Sequence, residues 1–110
     1  MHRGDIVILN IGNNIGKPRP ALIMQADALN HNYGMSTTIV LPLTSELLHM
    51  NVLRYVIEPD KENGLQCISQ VMVDKIMQVD KQKIQQVIGC ITKKQISDIE
   101  ARLLAVLGIN

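Results

Sequence analysis

The hydrophobic pattern of this chain changes period once, just after Ile91, and that change constrains the fold more than any other feature. Before it, short apolar runs rich in Ile and Val alternate with turn residues. Ile6-Val7-Ile8-Leu9, bounded by Gly4-Asp5 and Asn10, reads as a buried strand. Pro20 to Gln25, Thr37 to Leu43 and Val52 to Ile57 read as further strands, the second of them strongest. Leu65 to Ser69, Lys75 to Val79 and Gln85 to Ile91 complete the set, with Lys61-Glu62-Asn63-Gly64 as a hairpin-like turn. Asn10 to Pro18 is a loop, and residues 26–36 are a polar connection with room for one helical turn at Ala26 to Leu29.

After the change, Ile96, Ile99, Leu103 and Val106/Leu107 recur at three- and four-residue spacing, the mark of an amphipathic helix. Thr92 stands at its N-cap with Gln95 three residues on, a capping box, and Gly108 ends it. Short strands closed by one helix predict a mainly β, α+β fold: a small, SH3-like β-barrel covered by a C-terminal helix. With 110 residues and no internal repeat or linker, the expectation is a single domain over 1–110.

The core must be aliphatic. Apolar residues make up 46% of the chain, yet there is no Phe or Trp, and Tyr33 and Tyr55 are the two aromatics. Ile, Leu, Val and six Met have to fill it, Met taking the irregular gaps. Cys67 and Cys90 show no close metal spacing and lie among apolar neighbours, so both are expected as free buried thiols. Asp5 interrupts the N-terminal residues, so no signal peptide is expected, and no apolar run reaches the roughly 20 residues of a membrane span. A cytoplasmic protein is the expectation.

A net charge of +1 provides no bulk attraction for nucleic acid, so any polyanion must be held locally by a few cations in a cleft. Walker-type loops, Cys/His metal clusters and nucleophile elbows are absent from the sequence. His2, His31 and His49 are far apart in the chain and follow no motif.

Three candidates remain. Lys17-Pro18-Arg19-Pro20 holds two cations on stiff extended backbone, because each proline restricts the residue before it. A guanidinium so placed matches phosphate oxygens with paired N–H donors and stays charged. Donors aimed at developing charge are worth roughly 3–4 kcal/mol each in catalysis. Thr44 follows the strongest strand, where its hydroxyl either faces a cleft or caps the Thr44-Ser45-Glu46 turn. Asp74-Lys75 on a short strand either holds ribose or phosphate or is a surface pair of little worth.

Arg3-Gly4-Asp5-Ile6-Val7, Arg19-Pro20-Ala21-Leu22-Ile23-Met24-Gln25 and Thr38-Ile39-Val40-Leu41-Pro42-Leu43-Thr44-Ser45 follow one another in an order and spacing that resemble the MazF/PemK family. Gly64-Leu65, Asp74-Lys75-Ile76, Val87-Ile88-Gly89 and the Ile96–Leu107 helix match its later landmarks. Those proteins are toxin ribonucleases of bacterial toxin–antitoxin pairs. The resemblance implies a metal-independent endoribonuclease, without cofactor, that cuts single-stranded RNA at short motifs by 2′-hydroxyl attack. The ends left are a 2′,3′-cyclic phosphate and a 5′-hydroxyl. It also implies a homodimer with RNA along its groove and a cognate antitoxin that covers that groove. Arg19 and Thr44 take the catalytic positions, with substrate contacts expected from Lys17, Asn14, His31, Asn32, Ser45, Asp74 and Lys75, and no metal site.

The chain departs from the family pattern at three places. Lys75-Ile76-Met77 replaces Gln followed by Ile-Arg, Asn13-Asn14 replaces a common acidic residue, and Val7 replaces an aromatic. Scarce aromatics shift base readout from stacking toward hydrogen bonds. Two other readings stay open at this level. One is a non-enzymatic gyrase inhibitor like CcdB, which shares the fold and acts through its last residues, here Leu107-Gly108-Ile109-Asn110. The other is a catalytically inactive SH3-like interaction module.

Overall fold

Thr37–Thr44 is the longest strand of the computed structural model, and every other part of the sheet is built out from it. The structure describes residues 1–10, 17–49 and 51–109. In chain order these form β1 (Asp5–Leu9), β2 (Arg19–Ile23), a one-turn helix α1 (Asp27–Asn30) and β3 (Thr37–Thr44). There follow β4 (Arg54–Ile57), β5 (Ser69–Met72), β6 (Met77–Asp80), a 3₁₀ turn at Lys81–Lys83, β7 (Ile84–Cys90) and the C-terminal helix α2 (Lys93–Leu107). The pairings are antiparallel in the order β4-β5-β3-β2-β1-β7, with β6 also on β3.

Along one edge β3 pairs β2, and along the other it pairs β6 through Val40 and β5 from Leu43. The Ile39 carbonyl accepts from Met24 and Gln25 on the β2 side. By the two-residue alternation of a strand, the Pro42 nitrogen therefore faces the second edge, at the gap between β6 and β5. A proline inside the sheet is tolerated there because no ladder bond is missing.

Both faces of β1, β2 and β3 are buried, which explains why they read as continuous apolar runs. Ile6, Leu22, Met24, Leu41 and Leu43 join Ile57, Val71 and Val73 in a core covered by Ile96, Ile99, Leu103 and Val106 of α2. The alternate residues Val7, Leu9, Ala21, Ile23 and Val40 pack with Val79, Met1, Met77 and Ile84 in a second cluster.

The expected mainly β fold with a C-terminal helix is what forms, but the sheet does not close into a barrel. The reason lies in the turn after β4. Glu62 accepts a backbone hydrogen bond from Cys90 at 2.9 Å, so a turn bridges toward β7 where a closing strand ladder would run. Fully buried Asn63 organises that turn: its Oδ1 accepts from Asp60 and Leu65 N–H, and its Nδ2 donates to the Glu58 carbonyl.

Three strands start at least two residues later than the sequence reading places them. Residues 65–68 are not a strand; pairing starts at Ser69, because the chain leaving the Asn63 turn lines a cleft before it reaches β4. Asp74 and Lys75 lie in a turn closed by the Lys75 N–H to Met72, so β6 begins only at Met77. Residues 52 and 53 precede β4, since the Asn51 side chain accepts from Leu53 N–H in a local turn. Cys67 and Cys90 are free, as expected, but both are exposed, because cleft and sheet edge leave them on the surface.

The capping box of α2 forms as read: Gln95 N–H donates to Thr92 Oγ1 at 3.1 Å, and Thr92 N–H to Gln95 Oε1 at 2.9 Å. Gly108 closes the helix with φ of 72°. Replacing Thr92 by Ala should cost about 1 kcal/mol, read as a lower urea midpoint with an unchanged slope.

Side chains on the flank of α2 clasp the sheet. The Tyr55 hydroxyl donates to Asp98 at 3.0 Å, and Arg102 donates to the Arg54 carbonyl at 2.7 Å while its guanidinium lies 5.2 Å from the Tyr55 ring centre. Burial, and then the Asp98 hydrogen bond, push the Tyr55 hydroxyl pKa up. Lys94, and then Tyr55, hold Asp98 below the ordinary carboxylate range. No helix among the described residues is long and apolar enough to cross a membrane.

Candidate functional site

Ala21 pairs Pro42 and Leu22 pairs Leu41, so continuing this register sets Arg19, the first residue of β2, opposite Thr44, the last of β3. Two open clefts meet at that corner. The first, about 380 Å³, has Arg19, Thr44, Ser45, Gln66, Cys67 and Gln86 around an apolar floor that includes Leu43 and Ile88. The second, about 460 Å³, has Arg19, Pro42, Thr44, Lys75 and Met77 on its walls. Arg19 and Thr44 line both.

The chemistry of this corner is cationic. Arg19 is exposed at the β2 entrance, and no carboxylate lies within ion-pairing distance of it among the described residues. Pro18 and Pro20 restrict the backbone on either side. Among their described lining residues, the two clefts include no histidine and no carboxylate. Such a donor set suits an anion and offers a hard divalent ion little. Lys75 adds a second cation, 3.7 Å from Asp74 in an exposed pair.

Thr44 performs the turn-capping job and leaves a function over. Its Oγ1 accepts the Glu46 N–H at 3.0 Å, which aims a lone pair back at the loop. The hydroxyl proton is then the part left to donate elsewhere. Loop Ser45–Leu48 is held in turn by buried Gln70, the register partner of Thr44. Gln70 accepts from Leu48 N–H at 3.0 Å and donates to the Leu48 carbonyl at 2.9 Å. Arg54 donates to Gln70 at 3.0 Å and to the Glu46 carbonyl at 3.3 Å, completing the clamp.

Of the residues expected from sequence, the structure brings Arg19, Thr44, Ser45 and Lys75 together around this corner. Lys17 is exposed immediately before Pro18 of the first cleft, and Asp74 reaches neither cleft lining. His31 and Asn32 line a separate cleft with Asn30, Tyr33 and Lys81, near the opposite end of β3. Asn14 lies outside the described residues. His2 and His31, unrelated in sequence, come together with ring centres 4.9 Å apart.

Sequence reasoning missed Gln66, Cys67 and Gln86 on the first cleft, and Gln70 behind it. Gln86 had a signal, since Ile84, Gln86 and Ile88 alternate with their neighbours along one strand. For Gln70 the signal was slight, as a polar residue inside a short apolar run.

A family model described as "PemK-like, MazF-like toxin of type II toxin-antitoxin system" matches residues 2–107. A probable endoribonuclease MazF of Mycolicibacterium smegmatis is 33% identical over 110 residues, covering 99% of this chain and 98% of that one. Among solved structures, a MazE–MazF crystal structure from Deinococcus radiodurans matches with a TM-score of 0.81 at 20% identity, over 100% of this chain and 98% of that chain. An endoribonuclease in complex with its cognate antitoxin, from a mycobacterial species, matches with a TM-score of 0.78 at 20% identity, over 100% of this chain and 95% of that chain. At these identities the two solved structures establish a shared fold.

Proposed function

The chain belongs to the PemK-like, MazF-like toxin family of type II toxin–antitoxin systems, and on that premise we propose that it is a metal-independent endoribonuclease toxin working at the Arg19–Thr44 corner. The observation that carries this reading is the placement of an arginine on proline-bracketed backbone across from a hydroxyl whose oxygen already accepts the Glu46 N–H, at the junction of two anion-compatible clefts.

In the proposed reaction the ribose 2′-oxygen bonds to the adjacent phosphorus, and the bond from phosphorus to the 5′-oxygen breaks. The 2′-proton passes to solvent, and the departing 5′-oxygen takes one up. The products are a 2′,3′-cyclic phosphate and a 5′-hydroxyl, with no water consumed in this step. Negative charge accumulates on the phosphoryl oxygens in between. Arg19 meets that charge with paired N–H donors, and Thr44 donates one hydrogen bond to the same group. The described lining residues offer a guanidinium and hydroxyls, so electrostatic stabilisation is the contribution this corner makes to the rate. Lys75 holds a neighbouring phosphate from the second cleft. Met77 beside it is apolar and contributes shape alone.

The partners inferred with this function are single-stranded RNA, a second copy of the chain, and a cognate antitoxin that shields the clefts in the cytoplasm. The similarity to an endoribonuclease solved with its antitoxin supports the last. A gyrase inhibitor or an inactive module has no need of the cation–hydroxyl corner.

The test uses purified protein, single-stranded RNA of mixed sequence and EDTA. Cleavage that leaves 5′-hydroxyl ends, open to phosphorylation by a polynucleotide kinase, is the expected result. RNA that stays intact at every sequence sinks the reading.

A further inference from the structure

The meeting of His2 and His31 involves a third residue. One ligand atom from each of His2, Asp27 and His31 lies within 4.8 Å of the others. We propose that these three side chains form a site for a divalent transition-metal ion, best suited to Zn²⁺, that fastens the N-terminal segment to α1. Two imidazoles and one carboxylate are a borderline donor set of the kind that selects zinc over magnesium or calcium. Asp27 and His31 stand four residues apart, the spacing that puts two ligands on one side of a helical turn.

The surroundings orient the ligands. Asp27 Oδ1 accepts the Arg3 N–H at 2.6 Å, which leaves Oδ2 turned toward His2 Nδ1 at 3.7 Å. His31 Nε2 lies 3.0 Å from the Met1 carbonyl, the kind of second bond that fixes a ligand ring and leaves its other nitrogen free. His2 sits on anchored backbone: its N–H donates to Asp5, and Asp5 N–H donates to the His2 carbonyl.

Around a tetrahedral zinc, with bonds of about 2.1 Å, ligand atoms lie about 3.4 Å apart. Closing from 4.8 Å requires only small rotations of exposed side chains. Arg3, next to His2, also reaches the Met24 carbonyl and Glu100 of α2. An ion here would tie the N-terminal segment to α1 beside a contact that Arg3 already makes to α2. It would do so far from the Arg19 corner, because the residues of β3 separate the two ends by about 23 Å at ~3.3 Å per residue. Three protein ligands leave the fourth position to solvent, and the effect proposed is on stability.

The experiment titrates tag-free protein with Zn²⁺, and separately with Mg²⁺, by thermal denaturation and calorimetry. At about 100 times Kd, Zn²⁺ should raise Tm by on the order of 10 °C, with no response to Mg²⁺. Co²⁺ substitution should produce visible d–d absorption. His2→Ala and His31→Ala should each weaken Zn²⁺ binding at least ~10-fold, and since both side chains are exposed, the variants should keep the parent circular dichroism. Absence of a Zn²⁺ response overturns the proposal. So does a response that persists in the double variant, which would place the ion elsewhere, for example on exposed Cys67.

Discussion

Arg19→Ala should lower the single-turnover rate of RNA cleavage by about 10²–10³-fold while leaving Tm within a degree of the parent. The unchanged Tm follows from what the Arg19 side chain touches. Arg19 is exposed, and among the described residues it has neither an ion pair nor a side-chain hydrogen bond whose loss would weaken the fold. The lower rate follows from where the charge appears. Ground-state RNA already carries one negative charge per phosphate, and the guanidinium meets additional charge only as the 2′-oxygen attacks. The loss should therefore fall mainly on kcat, with a smaller rise in KM. Arg19→Lys should recover little of the rate, because an ammonium lacks the planar pair of donors. Cleavage by Arg19→Ala at the parent rate would remove Arg19 from the mechanism.

The second large effect is on stability. A Cβ on Gly89 would lie 2.2 Å from the Glu62 carbonyl oxygen and 2.4 Å from the Asn63 carbonyl carbon. Both are backbone atoms of a turn fixed by buried Asn63, so neither can yield like the end of a flexible side chain. Gly64 meets the same contact from the other side: its φ is +69°, and its Cβ would lie 2.2 Å from the Ile88 carbonyl oxygen. Gly89→Ala should cost about 3 kcal/mol or more, a large share of the ~5–15 kcal/mol that holds a typical domain together. A urea midpoint unchanged from the parent would show that the turn and β7 separate easily. The same displacement would move Leu65, Gln66 and Cys67, so a folded remnant should also have a distorted first cleft.

Local chemistry made the outer parts of this fold readable. Thr92, Gln95 and Gly108 define α2 through contacts within a few residues, and the β-branched run after Ser36 defines β3. Leu65 to Ser69 misled because apolar residues near a turn read as strand, while Asn63, held by bonds spanning Glu58 to Leu65, decides where that chain goes. Arg19 stood out through its flanking prolines, and Thr44 through the strand that ends on it. Their mutual placement needed the β2–β3 register, which depends on pairing across the sheet. Gln70 and the meeting of His2 with His31 were hidden for the same reason, since each depends on partners brought from distant parts of the chain.

The clasp on α2 gives the molecule an optical property. With no tryptophan or phenylalanine, its aromatic ultraviolet signal comes chiefly from Tyr33 and Tyr55. Tyr33 is fully exposed, so its ring averages over solvent, whereas the Tyr55 ring is held by Asp98 and Arg102 of α2. Near-ultraviolet dichroism, which needs a ring in a fixed asymmetric setting, therefore reads one residue. A single native reporter, without any label, follows the attachment of the helix to the sheet.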